Sequence, residues 1–223
     1  MKRIGFLIVF TSLFVLIGCQ QPSEKVLRYD ENKEIIGEEK DEIIGEVSDT
    51  IYESIDRSNS NSEEIFLEHL DANGAEVVPP EGRYMISGGQ SGRILVYDEN
   101  DVLMFEAVRD DFQGVGGITI DLNGSHKVYV DGVEFAHIMP VPTQISNELT
   151  TGIWEVGTDI EAGTYEVSTE FGFGDIQLFE EGESPRLYEI LGGSSDSTIE
   201  LDLKEGQKVK INGVSALTFE PRT

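Results

Sequence analysis

Apolar and polar residues alternate in short runs over the C-terminal two thirds of the chain. Ile118, Ile120 and Leu122 alternate with Thr119 and Asp121, and Val128 and Val130 flank Tyr129. A period of two marks a strand with one buried face. Residues 198–203 and 208–211 carry the same pattern. Between the runs stand Asn123-Gly124, Asp131-Gly132, Glu205-Gly206 and Asn212-Gly213. These pairs supply the positive φ that tight hairpins demand. Short strands punctuated by turn signals predict an all-β chain built of small antiparallel sandwiches or open barrels.

The pattern occurs twice. Gly82-Arg83-Tyr84 returns as Gly163-Thr164-Tyr165, Ile118 to Leu122 as Ile199 to Leu203, and Val128 to Val133 as Val209 to Val214, each at an offset of 81 residues. Pro140 matches Pro221 at the same offset, while Ile94, Val96 and Tyr97 align with Ile176, Leu178 and Phe179 one residue further on. A fixed offset is the mark of a duplicated unit. The sequence therefore predicts two tandem β-domains, residues 76–140 and 153–221, joined by a linker over 141–152. Each is small enough that only a modest core is available to it.

Upstream the periodicity disappears. Residues 19–61 are rich in Glu, Asp, Lys, Ser and Asn, with a short echo in which Glu34-Ile35-Ile36-Gly37-Glu38 returns as Glu42-Ile43-Ile44-Gly45-Glu46. So few apolar groups do not offset ordering entropy, so an open, mostly disordered acidic tether is expected. Its paired isoleucines are also readable as a linear binding motif. Residues 62–75 read as a short helix or a strand: Ser60 and Glu63 fit a capping box, yet Ile65-Phe66-Leu67 suits either.

The first 18 residues have a different character. Lys2 and Arg3 precede an apolar run from Ile4 to Ile17, which is too short for the ~20 residues of a bilayer span and has the order of an export signal. Leu16-Ile17-Gly18-Cys19 ends this segment with the single cysteine of the chain. The order resembles the lipobox of bacterial lipoproteins. The resemblance implies a signal peptide over 1–18, a diacylglycerol on the Cys19 sulfur, and an often acylated new amino terminus. It places the protein at the outer side of a bacterial cell membrane, anchored by lipid. Val156-Gly157 followed by Asp159-Ile160-Glu161-Ala162-Gly163-Thr164-Tyr165 is similar to a motif of small, often repeated β-domains in exported lipoproteins of largely uncharacterised function. The motif brings no catalytic residues, and core packing of Tyr165 and Val167, with Tyr84 and Ile86 in the first copy, accounts for it.

Charge narrows the partners. The chain carries 43 acids against 16 bases, a net charge of −27, and loss of residues 1–18 leaves 14 bases and a net −29. Phosphate contacts need clustered Lys and Arg, so nucleic acid is excluded as a partner. The membrane contact is the lipid anchor itself, and an envelope protein or a cell-wall polymer is the kind of partner such a module meets.

Catalytic patterns are sparse. His69, His126 and His137 form no His-Glu-x-x-His pair, and Gly88-Gly89-Gln90-Ser91-Gly92 has neither the nucleophile-elbow spacing nor a P-loop lysine. No cofactor is expected beyond the lipid. Oxygen ligands cluster at Asp98, Asp101, Asp110 and Asp111, the weak candidates for calcium, without the spacing of an EF-hand. Solvated acids explain them equally. Trp154, Phe171 and Phe173 form the candidate contact surface, because Gly172 and Gly174 flank the two phenylalanines and permit close approach. Rings at alternate strand positions are more often core. The expected role is a non-enzymatic, membrane-anchored interaction module. The alternatives are an envelope hydrolase with carboxylates between the two domains, or a purely structural surface protein.

Overall fold

The computed structural model describes residues 22–68, 70, 73–89, 91–109, 115–193 and 198–222. The signal segment, Cys19, His69, Asp110 and Asp111 lie outside the described residues. The described chain is all-β apart from its N-terminal part. Helix α1 (Glu24–Asn32), strand β1 (Glu34–Ile35), helix α2 (Glu38–Ile44) and a 3-10 turn (Asp49–Tyr52) come first. The first copy follows: β2 (Ile65–Glu68), β3 (Ala75–Val77), β4 (Gly82–Gly88), β5 (Gly92–Tyr97), β6 (Leu103–Arg109), β7 (Ile118–Leu122), β8 (Lys127–Asp131) and β9 (Phe135–Pro140). The second contains β10 (Glu148–Glu155), β11 (Gly163–Ser168), β12 (Phe173–Phe179), β13 (Arg186–Leu191), β14 (Ile199–Leu203) and β15 (Lys208–Pro221).

The repeat is visible in the strand register. In the first copy Gly82 faces Leu122 and Tyr84 faces Ile120; in the second, Gly163 faces Leu203 and Tyr165 faces Leu201. Ile94 faces Val130, and Ile176 faces Ile211, which fixes the one-residue gap inferred for that strand. Each copy is a sandwich. Sheet β7-β4-β9-β2 covers β3-β8-β5-β6 in the first. In the second, β14, β11 and the C-terminal half of β15 cover a layer formed by its N-terminal half with β12 and β13. The buried tyrosines bond alike: Tyr84 Oη donates to Pro80 O and Tyr165 Oη to Glu161 O, each at 2.9 Å. The position read as core, beside the glycine, is core in both copies.

Two expectations change. The Asn/Asp-Gly pairs adopt positive φ but do not close hairpins. β7 and β8 belong to different sheets, and β15 runs straight through Asn212-Gly213 while exchanging one set of partners for another. These glycines turn corners of a sandwich, a geometry that local sequence does not separate from a hairpin. The two copies, moreover, do not stand apart. β10 pairs in parallel with β7 at Gly152 and Thr119, so one sheet passes from β2 in the first copy to β13 and β1 beside the second. Gly152 has φ +151°, and a Cβ there would lie 2.0 Å from Thr119 O, so only glycine allows the join. The two cores occupy opposite faces of this shared sheet. Neighbours on β10 divide between them: Ile153 packs in the core of Ile86, Ile120 and Phe105, and Trp154 against that of Tyr165, Ile211 and Phe219.

The acidic segment is the main correction. It is not an open tether: Ile51 is buried in the first core, and Ile44, Val47 and Tyr52 pack against it. Ile35 pairs with Leu187 of β13. Both glycines of the echo, Gly37 and Gly45, have positive φ and bracket α2. Further along, Asn59 accepts from Arg83 N and donates to Val141 O, both at 2.9 Å. Widely spaced apolar residues here use a surface prepared by the β-sandwiches, and no local composition window registers that. Within residues 62–75, Ile65–Glu68 form a strand, β2, paired with β9.

Candidate functional site

The three aromatic candidates separate. Phe171 and Phe173, at the junction into β12, are 79% and 76% exposed. Gly172 between them has φ +88° and its carbonyl accepts from Gly192 N at 2.7 Å, which ties the turn to the end of β13. Leu191, opposite Phe173 in the register, adds a further exposed apolar side chain. The result is an aromatic tip held on a braced turn. Trp154 is elsewhere. Its ring lies 4.8 Å from the Arg83 guanidinium and its indole N–H donates to Thr150 O at 2.7 Å, so it is half-buried structure rather than part of the tip.

Trp154 roofs a charge cluster that the sequence reading missed. Arg83 on β4 reaches Asp121 on β7 and Asp159 beyond β10, each at 3.0 Å. Arg57 bonds Asp121, lies 3.0 Å from Asp159 and 3.5 Å from Glu155, and Lys208 on β15 closes on Glu155 at 2.7 Å. Asp159 also accepts from Glu155 N at 2.8 Å. Three cations meet three carboxylates drawn from the N-terminal segment and both copies. Arg83 and Asp159 are fully buried, and Arg83 Nη2 has only the ionic approach to Asp159, without hydrogen-bond geometry. Burial pushes the Asp159 carboxyl up, against the pull of Arg83 and Arg57. The carboxylates between the copies are thus spent on local cations. The signal was present in the repeat: Arg83 is the one residue of Gly-Arg-Tyr that differs from Gly-Thr-Tyr.

Histidine 126 belongs to a second buried network. Asn123 N lies 3.4 Å from its Nδ1, and its Nε2 is hydrogen-bonded with Thr50 Oγ1 at 3.0 Å. Ser48 Oγ lies 2.8 Å from Thr50 Oγ1 and donates to Asp98 Oδ2 at 2.6 Å. Burial lowers the His126 pKa, against Glu53, Glu99 and Asp98, and the chain of bonds pins the 3-10 turn to the first sandwich. The calcium reading loses Asp98 for the same reason: its other oxygen accepts from Asn100 N and Val102 N at 2.8 Å, closing the turn. Asp101 points away and pairs with Lys127. Among the described residues no three metal-ligating side chains converge.

A second exposed aromatic group was not foreseen. Phe66 on β2 and Phe135 on β9 have ring centroids 5.7 Å apart, with His137 edge-on to Phe66 at 5.6 Å. Their alternation is legible, but which face lacks a cover is set by the other sheet. Compared with known proteins, the chain matches no family model and no curated protein.

Proposed function

We propose that the chain is a lipid-anchored, extracytoplasmic bacterial lipoprotein that serves as a non-enzymatic binding module. The lipobox order at Leu16 to Cys19 supports the anchor, with a diacylglycerol on Cys19 and the outer face of the cell membrane as the address. The observation that carries the binding role is the tip: two phenylalanines, three quarters exposed, on a turn braced by Gly192. Aromatic side chains supply much of the energy at interfaces, and two rings left in water on a hydrogen-bonded turn are poised to supply it. The partner is an envelope protein or a cell-wall polymer. The junction supports binding rather than hydrolysis, since its carboxylates are neutralised in place. The test is a pull-down from envelope extract with the full chain. Phe171→Ser with Phe173→Ser should keep the wild-type melting temperature and lose the captured component. Capture undiminished by the double substitution would defeat the assignment of the tip.

A further inference from the structure

The two copies differ at one edge. In the first, the outer edge of β7 is occupied by β10, in parallel, with Gly152 against Thr119. The equivalent residue in the second copy is Glu200 on β14, and no strand lies beside it among the described residues. Its backbone groups are met by a side chain instead. Asn32 Nδ2 donates to Glu200 O, and Glu200 N donates to Asn32 Oδ1, both at 2.7 Å. A primary amide presenting one donor and one acceptor copies the peptide group of a neighbouring strand. Asn32 is the last residue of α1, and α1 buries none of its side chains. A groove of about 500 Å³ remains between this helix, β1 and α2. The helix is held by polar contacts, Tyr29 Oη donating to Glu189 and Glu189 N to Lys33 O at 3.0 Å, without a buried apolar face, so it opens more readily than a core element.

We propose that the β14 edge is a strand-acceptor site, plugged by Asn32, for an extended segment of a partner protein that carries glycine at the Glu200 contact and basic residues beside it. Orientation and glycine follow from β10, where a Cβ at position 152 would strike Thr119 O. The basic flank follows from charge: Asp202 is exposed on β14, and Glu200 and Glu166 set two carboxylates against the single guanidinium of Arg222, at 2.6 and 2.5 Å, so this edge keeps a net negative charge. Strand addition of this kind draws affinity from main-chain bonds and selectivity from the flanking side chains. The site deepens the reading of the chain as a binding module but is separate from the aromatic tip.

The probe is a fluorescent peptide with the sequence of residues 148–156, carrying Glu148→Lys and Glu155→Lys, titrated with the full chain by anisotropy. Asn32→Ala should tighten binding at least tenfold over the wild type. In that background Asp202→Pro should abolish it, because residue 202 shares the outward orientation of Glu200 and its N–H is not needed by β11. A peptide with Gly152→Ala should fail against every protein, which keeps the test decisive if Asp202→Pro disturbs β14. Phe171→Ser with Phe173→Ser should leave peptide binding intact, so failure of the tip and failure of the edge are read separately. Absence of peptide binding to Asn32→Ala, binding indifferent to the peptide glycine, or self-association of Asn32→Ala without peptide binding would each overturn the proposal; the last would mark Asn32 as a guard against edge pairing alone.

Discussion

Arg83→Met is the sharpest probe of how the two copies are held. Methionine preserves most of the buried stem and removes the charge. Asp159, fully buried, then faces Arg57 alone, Asp121 loses one of two guanidinium partners, and Trp154 loses the cation under its ring. Removing one member of a buried ionic group costs about 3–5 kcal/mol, because the remaining charge is uncompensated. For a chain of this size each kcal/mol moves the melting temperature by roughly 2–4 °C, so a fall of ~6–20 °C is expected at pH 7. Two companions sharpen the reading. Adding Asp159→Asn should restore part of the loss, since it leaves Arg57 and Lys208 against Asp121 and Glu155. Arg93, exposed and paired with Asp131, is the control, where Arg93→Ala should leave the melting temperature nearly unchanged. The pH dependence has a definite sign. Burial raises the Asp159 pKa above 3.8, and loss of Arg83 raises it further. The part of the Arg83→Met deficit that comes from Asp159 is therefore absent where Asp159 is protonated in both folded and unfolded chains, and grows as the pH rises through the raised value. Calorimetry across that range decides the matter. A cost at pH 7 no greater than that of Arg93→Ala, or no recovery in the double variant, would refute the junction as an ionic lock.

Three other outcomes are expected. Gly152→Ala places a Cβ against the Thr119 carbonyl in an unfavourable φ, and should destabilise the chain by about 2–4 kcal/mol in urea unfolding; a neutral effect would mean that β10 and β7 are not joined there. The unfolded chain binds a proton at His126 before the folded chain does, because burial lowers the folded pKa below 6.5. Stability from this residue is present above pH 6.5 and falls as the pH drops below it, and His126→Gln should remove that slope in denaturant titrations carried from neutral pH to below pH 6.5. Cys19→Ala should move the protein from the membrane to the soluble fraction of fractionated cells, and retention in the membrane would contradict the lipid anchor.

The repeat, the strand alternation and the core positions were legible because each leaves a local trace. Tyr84, Ile86, Tyr165 and Val167 sit where period-two reasoning puts them, and the offset of 81 residues reappears as matched register. What escaped depends on partners distant in sequence. Ile44 and Ile51 stand in a predominantly acidic stretch, and they pack against the first sandwich rather than along any amphipathic run of their own. Arg83 and Asp159 lie 76 residues apart in sequence, and nothing beside either announces the other. The alternation around Phe171 and Phe173 is compatible with core or solvent. The choice falls to the opposing sheet, which leaves both rings uncovered.

The central claim is that the aromatic tip is the contact surface of a membrane-anchored binding module. Photo-crosslinking in cells tests it most directly. A photoreactive phenylalanine analogue at position 171 replaces one exposed ring with another, and the same analogue at Glu181, also exposed on the β12–β13 loop, serves as the control. A discrete crosslinked envelope component at 171, absent at 181 and lost when Phe173→Ser is added, is the predicted result. Equal labelling at both positions, or none at 171, would contradict the account.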